Sequence, residues 1–405
     1  MAVNLPPLAT LNPVRGVCIG TACAGIKQTQ RDDLVIMALA AGTRVAGVFT
    51  QSAFKAAPVR ICQDHLLDAL PRAILINSGN ANAATGQAGI DDALECCRWV
   101  AESLGVNARS VLPFSTGVIG QRLPLTKFAQ GIPMASRNLG RGWEDAARAI
   151  MTTDTGPKAV SKSVDVGGAA ASITGIAKGA GMIRPDMATM LAYIATDAAV
   201  SQRCLDELVR EAADASFNRI TVDGDTSTND SFLLIATGAA GNTTFESSSQ
   251  RGYAELRAAI VDVARELAQR IIRDAEGATK FVTVTVEGGR TAEECLAVAY
   301  TVAESPLIKT AMFASDPNWG RFCMAIGRAG VDGLDPDRVA LFLDDVCVAR
   351  GGMIAPSYTE QAGAKVMAQS EFTVRIDLGR GSARDTVWTC DFSYDYVRIN
   401  AEYRT

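Results

Sequence analysis

The sequence predicts an α+β or layered α/β fold rather than an all-parallel sheet. Three observations lead there. Short β-rich stretches early in the chain are separated by tight glycine turns. Helical segments interleave with strands through the middle, and the chain from Arg338 onward is mostly β.

Asp33–Ala40 and Arg44–Thr50 are β-rich and separated by Gly42, which reads as a hairpin. Ala73–Ile76 is a short apolar strand entering the polar stretch Asn77-Ser78-Gly79-Asn80-Ala81-Asn82, which reads as a loop. Asp91–Leu104 has helical spacing, with Asp91 as N-cap and Gly105 as the stop. Val111–Gly120 is a strand broken by a turn at Ser115-Thr116-Gly117, and Trp143–Met151 is helical. Ala170–Ile176 is a strand followed by a glycine-rich loop, Lys178–Met182. Ser201 caps a helix over Gln202–Ala213, and Tyr253–Asp274 is a long amphipathic helix. Phe281–Val286 alternates with period two. Thr291 and Glu294 form a capping box for a helix that stops before Pro306. Val339–Leu343, Glu371–Leu378 and Val387–Phe392 are the clearest late strands, and a domain boundary is placed near residue 290.

Composition excludes several functions. With a net charge of −5, nucleic acid and anionic membrane surfaces are poor partners. No apolar run reaches the ~18–20 residues that span a bilayer, and no basic segment precedes an apolar one near Met1. The expected location is cytoplasmic. The ten cysteines lack zinc-site spacing and read as buried free thiols, so no metal site is expected. The single histidine, His65, lies in Gln63–Leu70, an exposed helical piece by its pattern. Triads built on an imidazole are therefore unsupported. No dinucleotide or triphosphate loop is present, so no cofactor is expected.

An enzyme without a usable histidine needs another base. The segment 178–197, KGAGMIRPDMATMLAYIATD, offers one. Pro185 keeps Arg184 extended, so Thr189 comes where a loop enters a strand. A threonine freed at its own nitrogen combines a hydroxyl nucleophile with an α-amine of pKa ~7.7–8.0, suited to general-base work. The small Ala188 before it leaves the scissile carbonyl accessible. The carboxylates of 221–230 fail the EF-hand pattern, because Gly224 falls between Asp223 and Asp225. With Asn229 and Asp230 they read as a polar network supporting a site. Asp316, Asn318, Trp319 and Arg321 read as a turn of unassigned role.

Residues 178–191 resemble the self-processing motif of the ornithine acetyltransferases, the ArgJ family. The resemblance continues in order through NSGNANAATG (77–86), STGVIG (115–120), MTTDTGPK (151–158), TVDGDTSTND (221–230), DAEGATK (274–280), SDPNWGR (315–321) and YVRINAEYRT (396–405). It implies a layered α/β/β/α sandwich of N-terminal-nucleophile type, with a smaller C-terminal α/β domain. The catalytic domain would be 1–290 and the C-terminal domain 291–405, its tail returning to the site. It further implies cleavage between Ala188 and Thr189 into an α chain, 1–188, and a β chain, 189–405. Thr189 would carry the acetyl group from N2-acetylornithine to glutamate, the transfer that recycles acetyl in arginine biosynthesis. Thr116 and Gly117 match the family's oxyanion-hole pair. Thr152, Lys178, Thr189, Glu276, Asn400 and Thr405 match its substrate positions. Acetyl-CoA as a second acetyl donor and an α2β2 assembly are further family traits; the sequence leaves open whether this chain uses that donor. A self-processing aminopeptidase or amidase would share the cut and the nucleophile, with water as acceptor. A non-catalytic amino-acid binding protein is the alternative of another class.

Overall fold

The computed structural model describes residues 2–27, 30–184 and 190–402. In chain order the elements begin with β1 (Val17–Ala22), β2 (Leu34–Leu39), β3 (Arg44–Phe49), α1 (Ala57–Asp68), β4 (Ala73–Asn80) and α2 (Gly86–Leu104). Next come β5 (Val111–Val118), α3 (Leu125–Arg137), α4 (Trp143–Ala149), β6 (Lys158–Asp165), β7 (Ala170–Lys178) and β8 (Leu191–Thr196). They are followed by α5 (Gln202–Asp214), β9 (Ser231–Ala236), α6 (Tyr253–Arg273), β10 (Phe281–Gly289), α7 (Ala292–Ala303), α8 (Pro306–Ala314) and α9 (Trp319–Gly327). The chain closes with β11 (Ala340–Leu343), β12 (Val346–Arg350), β13 (Met353–Ile354), α10 (Glu360–Met367), β14 (Glu371–Asp377), β15 (Ala383–Cys390) and α11 (Tyr394–Ala401).

Two sheets stack face to face. One is ordered β1-β2-β4-β5, the other β3-β9-β8-β7-β6. Val35, Ile74 and Leu112 of the first share a core with Val45, Tyr193 and Leu233 of the second. The period-two pleat sends alternate residues the other way. In β8, Leu191, Tyr193 and Ala195 face the inner core, while Ala192 and Ile194 join Leu208 of α5 and Leu267 of α6 outside. The outer face of the first sheet, Ile36 and Leu75, packs on Phe128 and Ile132 of α3. These are the four layers of an α/β/β/α sandwich. Strands covered on both faces need no polar side, which is why β2 (LVIMAL) and β9 (SFLLIA) are nearly continuous apolar runs.

The third sheet runs β13-β12-β11-β14-β10-β15. Its apolar face, including Val284, Val374 and Val387, packs on Val298, Val302 and Phe322 of α7 and α9. Phe281–Gly289 already belongs to this sheet, between β14 and β15. No described helix is long and apolar enough to cross a membrane.

Some expectations are corrected. The Gly42 turn is real, with φ +83°, but β2 and β3 are not a hairpin. β2 pairs with β1 and β4, and β3 pairs with β9. The chain turns across the gap between sheets, because β2 and β3 each have an apolar face for the inner core. His65 is not exposed. It is 1% accessible, with Nδ1 2.7 Å from the Val111 carbonyl oxygen, and burial lowers its pKa. α2 starts at Gly86, so Asp91 is no cap; it accepts a bond from Gln87 instead. Gly105 does end that helix, in the left-handed conformation. Thr291 accepts the Glu294 N–H, but the Glu294 carboxylate reaches back to Arg290 N–H, leaving half a capping box. Six cysteines, Cys62, Cys96, Cys97, Cys204, Cys295 and Cys390, are buried and free; Cys18 and Cys23 are free and exposed.

Candidate active site

The stretches taken for a loop at 77–80 and a turn at 115–117 are both strand. β4 runs to Asn80 and β5 to Val118, paired in parallel with Ser78 opposite Thr116 and Gly79 opposite Gly117. Their backbones come unusually close. A Cβ on Gly117 would lie 2.3 Å from the Gly79 carbonyl carbon, and φ at Gly117 is +135°. No L side chain fits there. Polar side chains satisfy the irregular backbone around this seam. Asn77 donates to Asn80 O (2.8 Å), Ser115 to Asn77 Oδ1 (2.6 Å) and Asn80 to Arg122 O (2.9 Å). Asn229 donates to both Ala81 O (2.6 Å) and Ser115 O (2.9 Å). The asparagine-rich stretch thus supplies the hydrogen bonds that a bent, buried strand end lacks. Gly117→Ala should lose at least the ~1–3 kcal/mol of a strained backbone. Thermal unfolding would register this as a lower midpoint. An unchanged midpoint would show that the seam can open without cost.

Lys178 is the last residue of β7, and its Nζ donates to Thr116 Oγ1 at 3.1 Å. Burial lowers the Lys178 pKa, and Asp154, Asp230 and Glu276 counter this only in part. Behind it lies a buried ion network. Lys158 Nζ is 2.6 Å from both Asp154 Oδ1 and Asp274 Oδ2, all three side chains being inaccessible. Asp154 also accepts the N–H groups of Thr152 (2.8 Å) and Gly179 (2.8 Å). Asp274 accepts those of Thr155 (3.0 Å) and Gly156 (3.3 Å). The stretch 151–158 is thereby pinned on one side of Lys178, and the turn after Lys178 on the other. Lys27 and Arg31 both donate to the Met151 carbonyl oxygen, and Arg31 also to that of Thr152. Burial, with Arg31 nearby, pulls the Lys27 pKa down to about 7.

Glu276 follows the end of α6 and is buried, with its N–H bonded to Ala180 O at 2.9 Å. A Cβ on Gly181 would fall 2.3 Å from its carboxylate, so glycine there makes room for the acid. Asn400, on α11, donates to Glu276 Oε2 at 2.9 Å. α11 is seated by Ser393 donating to Gly277 O (2.6 Å) and by Tyr396 bonding Asp223 (3.3 Å).

Six of the residues named from the sequence, Thr116, Gly117, Thr152, Lys178, Glu276 and Asn400, line one cavity of about 260 Å³. That is just under the ~300–1,000 Å³ of pockets for drug-sized ligands, a size suited to an amino acid derivative. Met190 and Leu191 are also in its wall. Ala188, Thr189 and Thr405 lie outside the described residues, as does Pro185. The 221–230 stretch divides in two. Asp223 accepts the N–H groups of Met182 (2.7 Å) and Ile183 (2.9 Å), whereas Ser227, Asn229 and Asp230 line the cavity. Asp316 bonds Asn318 (3.2 Å), and Arg321 bonds Leu307 O (2.6 Å); neither is in the cavity wall. Asp154 and Lys27 were missed as site residues, and Asp230 was read only as part of a polar network supporting a site. Their signal, an acid or lysine beside a glycine or threonine run, is common in loops and says nothing until the loops converge.

A double-sheet sandwich with a hydroxyl, a cation and a carboxylate around one small cavity suits a compact molecule bearing both charges. The chain belongs to the ArgJ family, whose model matches residues 18–405. It is similar to a solved Bacillus halodurans chain described as an arginine biosynthesis bifunctional protein argJ. The identity is 34%, over 53% of this chain and 99% of that one, with a TM-score of 0.50. It is also similar to a Mycobacterium tuberculosis ornithine acetyltransferase solved with ornithine. There the identity is 35%, over 42% of this chain and 91% of that one, with a TM-score of 0.37.

Proposed function

We propose that this protein transfers an acetyl group from N2-acetylornithine to glutamate through an ester on Thr189, after cutting its own chain between Ala188 and Thr189. The observation that carries the reading is convergence. Thr116, Gly117, Lys178 and Glu276 meet at the cavity whose wall also holds Met190, the residue bonded to Thr189. In the cut, the Thr189 hydroxyl attacks the Ala188 carbonyl, the amide becomes an ester, and water releases Ala188 as a carboxylate. The freed α-amine then serves as base. It takes the hydroxyl proton as Thr189 attacks the acetyl carbonyl, and ornithine leaves carrying a proton. Glutamate's amine attacks the ester and departs as N-acetylglutamate.

Each attack creates an oxyanion. Thr116 accepts from Lys178, which polarises its hydroxyl as a donor toward that charge. Lys178 suits a substrate carboxylate, and Glu276 suits the side-chain ammonium of ornithine. Acetyl-CoA enters the proposal as a second donor to the same Thr189, and two copies of each piece as the assembly. Length adds support. A relative covered over 99% of its own chain by 53% of this one is about half as long, as the piece 189–405 would be.

The test is the denatured mass of the purified protein beside an acetyl-transfer assay. The 42.6 kDa chain should run as pieces of about 20 and about 23 kDa, the larger beginning at Thr189. N-acetylglutamate should form only when glutamate is supplied. Acetate released at the same rate without glutamate would favour the amidase reading. An intact chain that still turned over would remove the amine base.

A further inference from the structure

Met182 is a large apolar residue held in an unusual way. It lines the cavity with Glu276 and Asn400, and 42% of it is exposed. Its φ is +55°, in the left-handed region. That conformation is uncommon for a residue with a side chain, and it persists only where the surroundings over-determine it. Here they do so from both directions along the chain. The Asp223 carboxylate accepts the N–H of Met182 at 2.7 Å and that of Ile183 at 2.9 Å. Asp223 is itself held by the Tyr396 hydroxyl at 3.3 Å. The Ile183 carbonyl oxygen accepts from Val222 N–H at 2.8 Å and from the Thr221 hydroxyl at 3.1 Å. On the other side, Ala180 O accepts from Glu276 N–H at 2.9 Å, and Gly181 abuts the Glu276 carboxylate. Ile183 is buried in the main core, while its neighbour Met182 is kept out of that core and in the cavity wall.

The wall has two kinds of surface. Lys178, Glu276 and Asp230 bear its charges, and Val118, Ile119, Met182, Met190 and Leu191 supply apolar area. A diamino acid gripped by Glu276 at its side-chain ammonium has a run of methylenes that no hydrogen bond can read. Only apolar contact measures their number. Met182 follows directly on the glycine that abuts the Glu276 carboxylate, so the backbone delivers its thioether to the side of the cavity where that run ends. Methionine is also the side chain that best moulds itself to an irregular gap.

We infer that Met182 is the specificity-determining residue for the length of the diamino-acid side chain, its thioether packing on the methylenes that lead to Glu276. This rests on the acetyl-transfer reading above and deepens it. With the thioether in place, the methylenes of ornithine fit and one more has no room. Apolar pockets separate chains that differ by one methylene by about 10–200-fold. Asp223 acts on the substrate only through Met182, by fixing where that residue stands.

The experiment measures kcat/KM for N2-acetylornithine and for N2-acetyllysine, one methylene longer, with glutamate as acceptor, in unmutated protein and in Met182→Ala. The unmutated protein should prefer acetylornithine strongly. In M182A the acetyllysine-to-acetylornithine ratio should rise about tenfold or more, because the longer chain can bow into the space the thioether leaves. Met182→Leu, which refills much of that space, should bring the ratio back down. A folded M182A with an unmoved ratio overturns the assignment and leaves acetyl transfer intact. Equal loss with both donors, or loss of all transfer by a folded variant, overturns it too. If M182A does not fold, Met182→Gly, which is at ease with positive φ, is read in the same way. Failure of both to fold assigns the residue to the fold instead. An unmutated protein that moves no acetyl from N2-acetylornithine refutes the transfer reading itself, independently of any variant.

Discussion

Thr189→Ala should yield a single uncut chain of 42.6 kDa with no acetyl transfer. Under the proposed mechanism one side chain attacks twice, first the Ala188 carbonyl and then the acetyl group. Alanine cannot do either, so both signals vanish together. Thr189→Ser keeps a hydroxyl and should still be cut, though more slowly, and should regain part of the transfer rate. The readouts are mass and turnover on the same preparations, and the two variants separate loss of the nucleophile from loss of the fold. An active Thr189→Ala protein would sink the mechanism. A preparation that is cut but inactive would show that a different residue performs the cleavage.

The second large effect concerns stability. Lys158→Met should cost about 3–5 kcal/mol, because it strands Asp154 and Asp274 as buried carboxylates without their cation. The variant Asp154→Asn/Lys158→Met/Asp274→Asn removes all three charges and should recover much of that loss. The network has a pH signature. Burial alone would raise the Asp154 pKa, but Lys158, Lys178 and the Gly179 N–H outweigh it and hold the carboxyl well below its usual range. Burial alone would lower Lys158, but Asp154 and Asp274 outweigh it and raise the amine. The stabilisation is therefore present above the unfolded carboxylate pKa of ~3.9 and is lost as pH falls through the lower folded value. On the basic side it is present below the unfolded lysine pKa of ~10.4 and is lost as pH rises through the higher folded value. Melting temperatures of unmutated and K158M protein should differ widely near neutrality and converge in strong acid. An equal gap at every pH would mean that the lysine's packing, not its charge, is what matters.

Much of this was legible in the sequence, and what was not has identifiable causes. Helix ends announced by a side chain were readable: Ser201 accepts the Cys204 N–H, and Gly105 takes the left-handed turn. The six cavity residues came from the family resemblance, since neither Lys178 nor Glu276 differs locally from a surface residue. Errors arose where partners are distant. Asn77–Asn80 is polar enough for a loop, yet it is strand, because Ser115 and Arg122 supply what a loop would have sought from water. His65 looked exposed between Asp64 and Leu67, but its ring turns inward to Val111, the first residue of β5. The β2–β3 turn has every local mark of a hairpin. Only the presence of two sheets, each needing an apolar inner face, tells the strands to stack instead of pair.

The strand order of the second sheet carries a consequence for how the cut protein would come apart. β3, β7 and β6 precede position 189, and β9 and β8 follow it, so pieces of both origins alternate as β3-β9-β8-β7-β6. Severing the chain there would leave every ladder bond of that sheet in place. The two products could not separate as folded bodies, since each would take away strands that the other pairs with. Denaturation would turn from a one-molecule event into a dissociation. Its midpoint would rise with protein concentration, and recovery on dilution would depend on two strangers meeting.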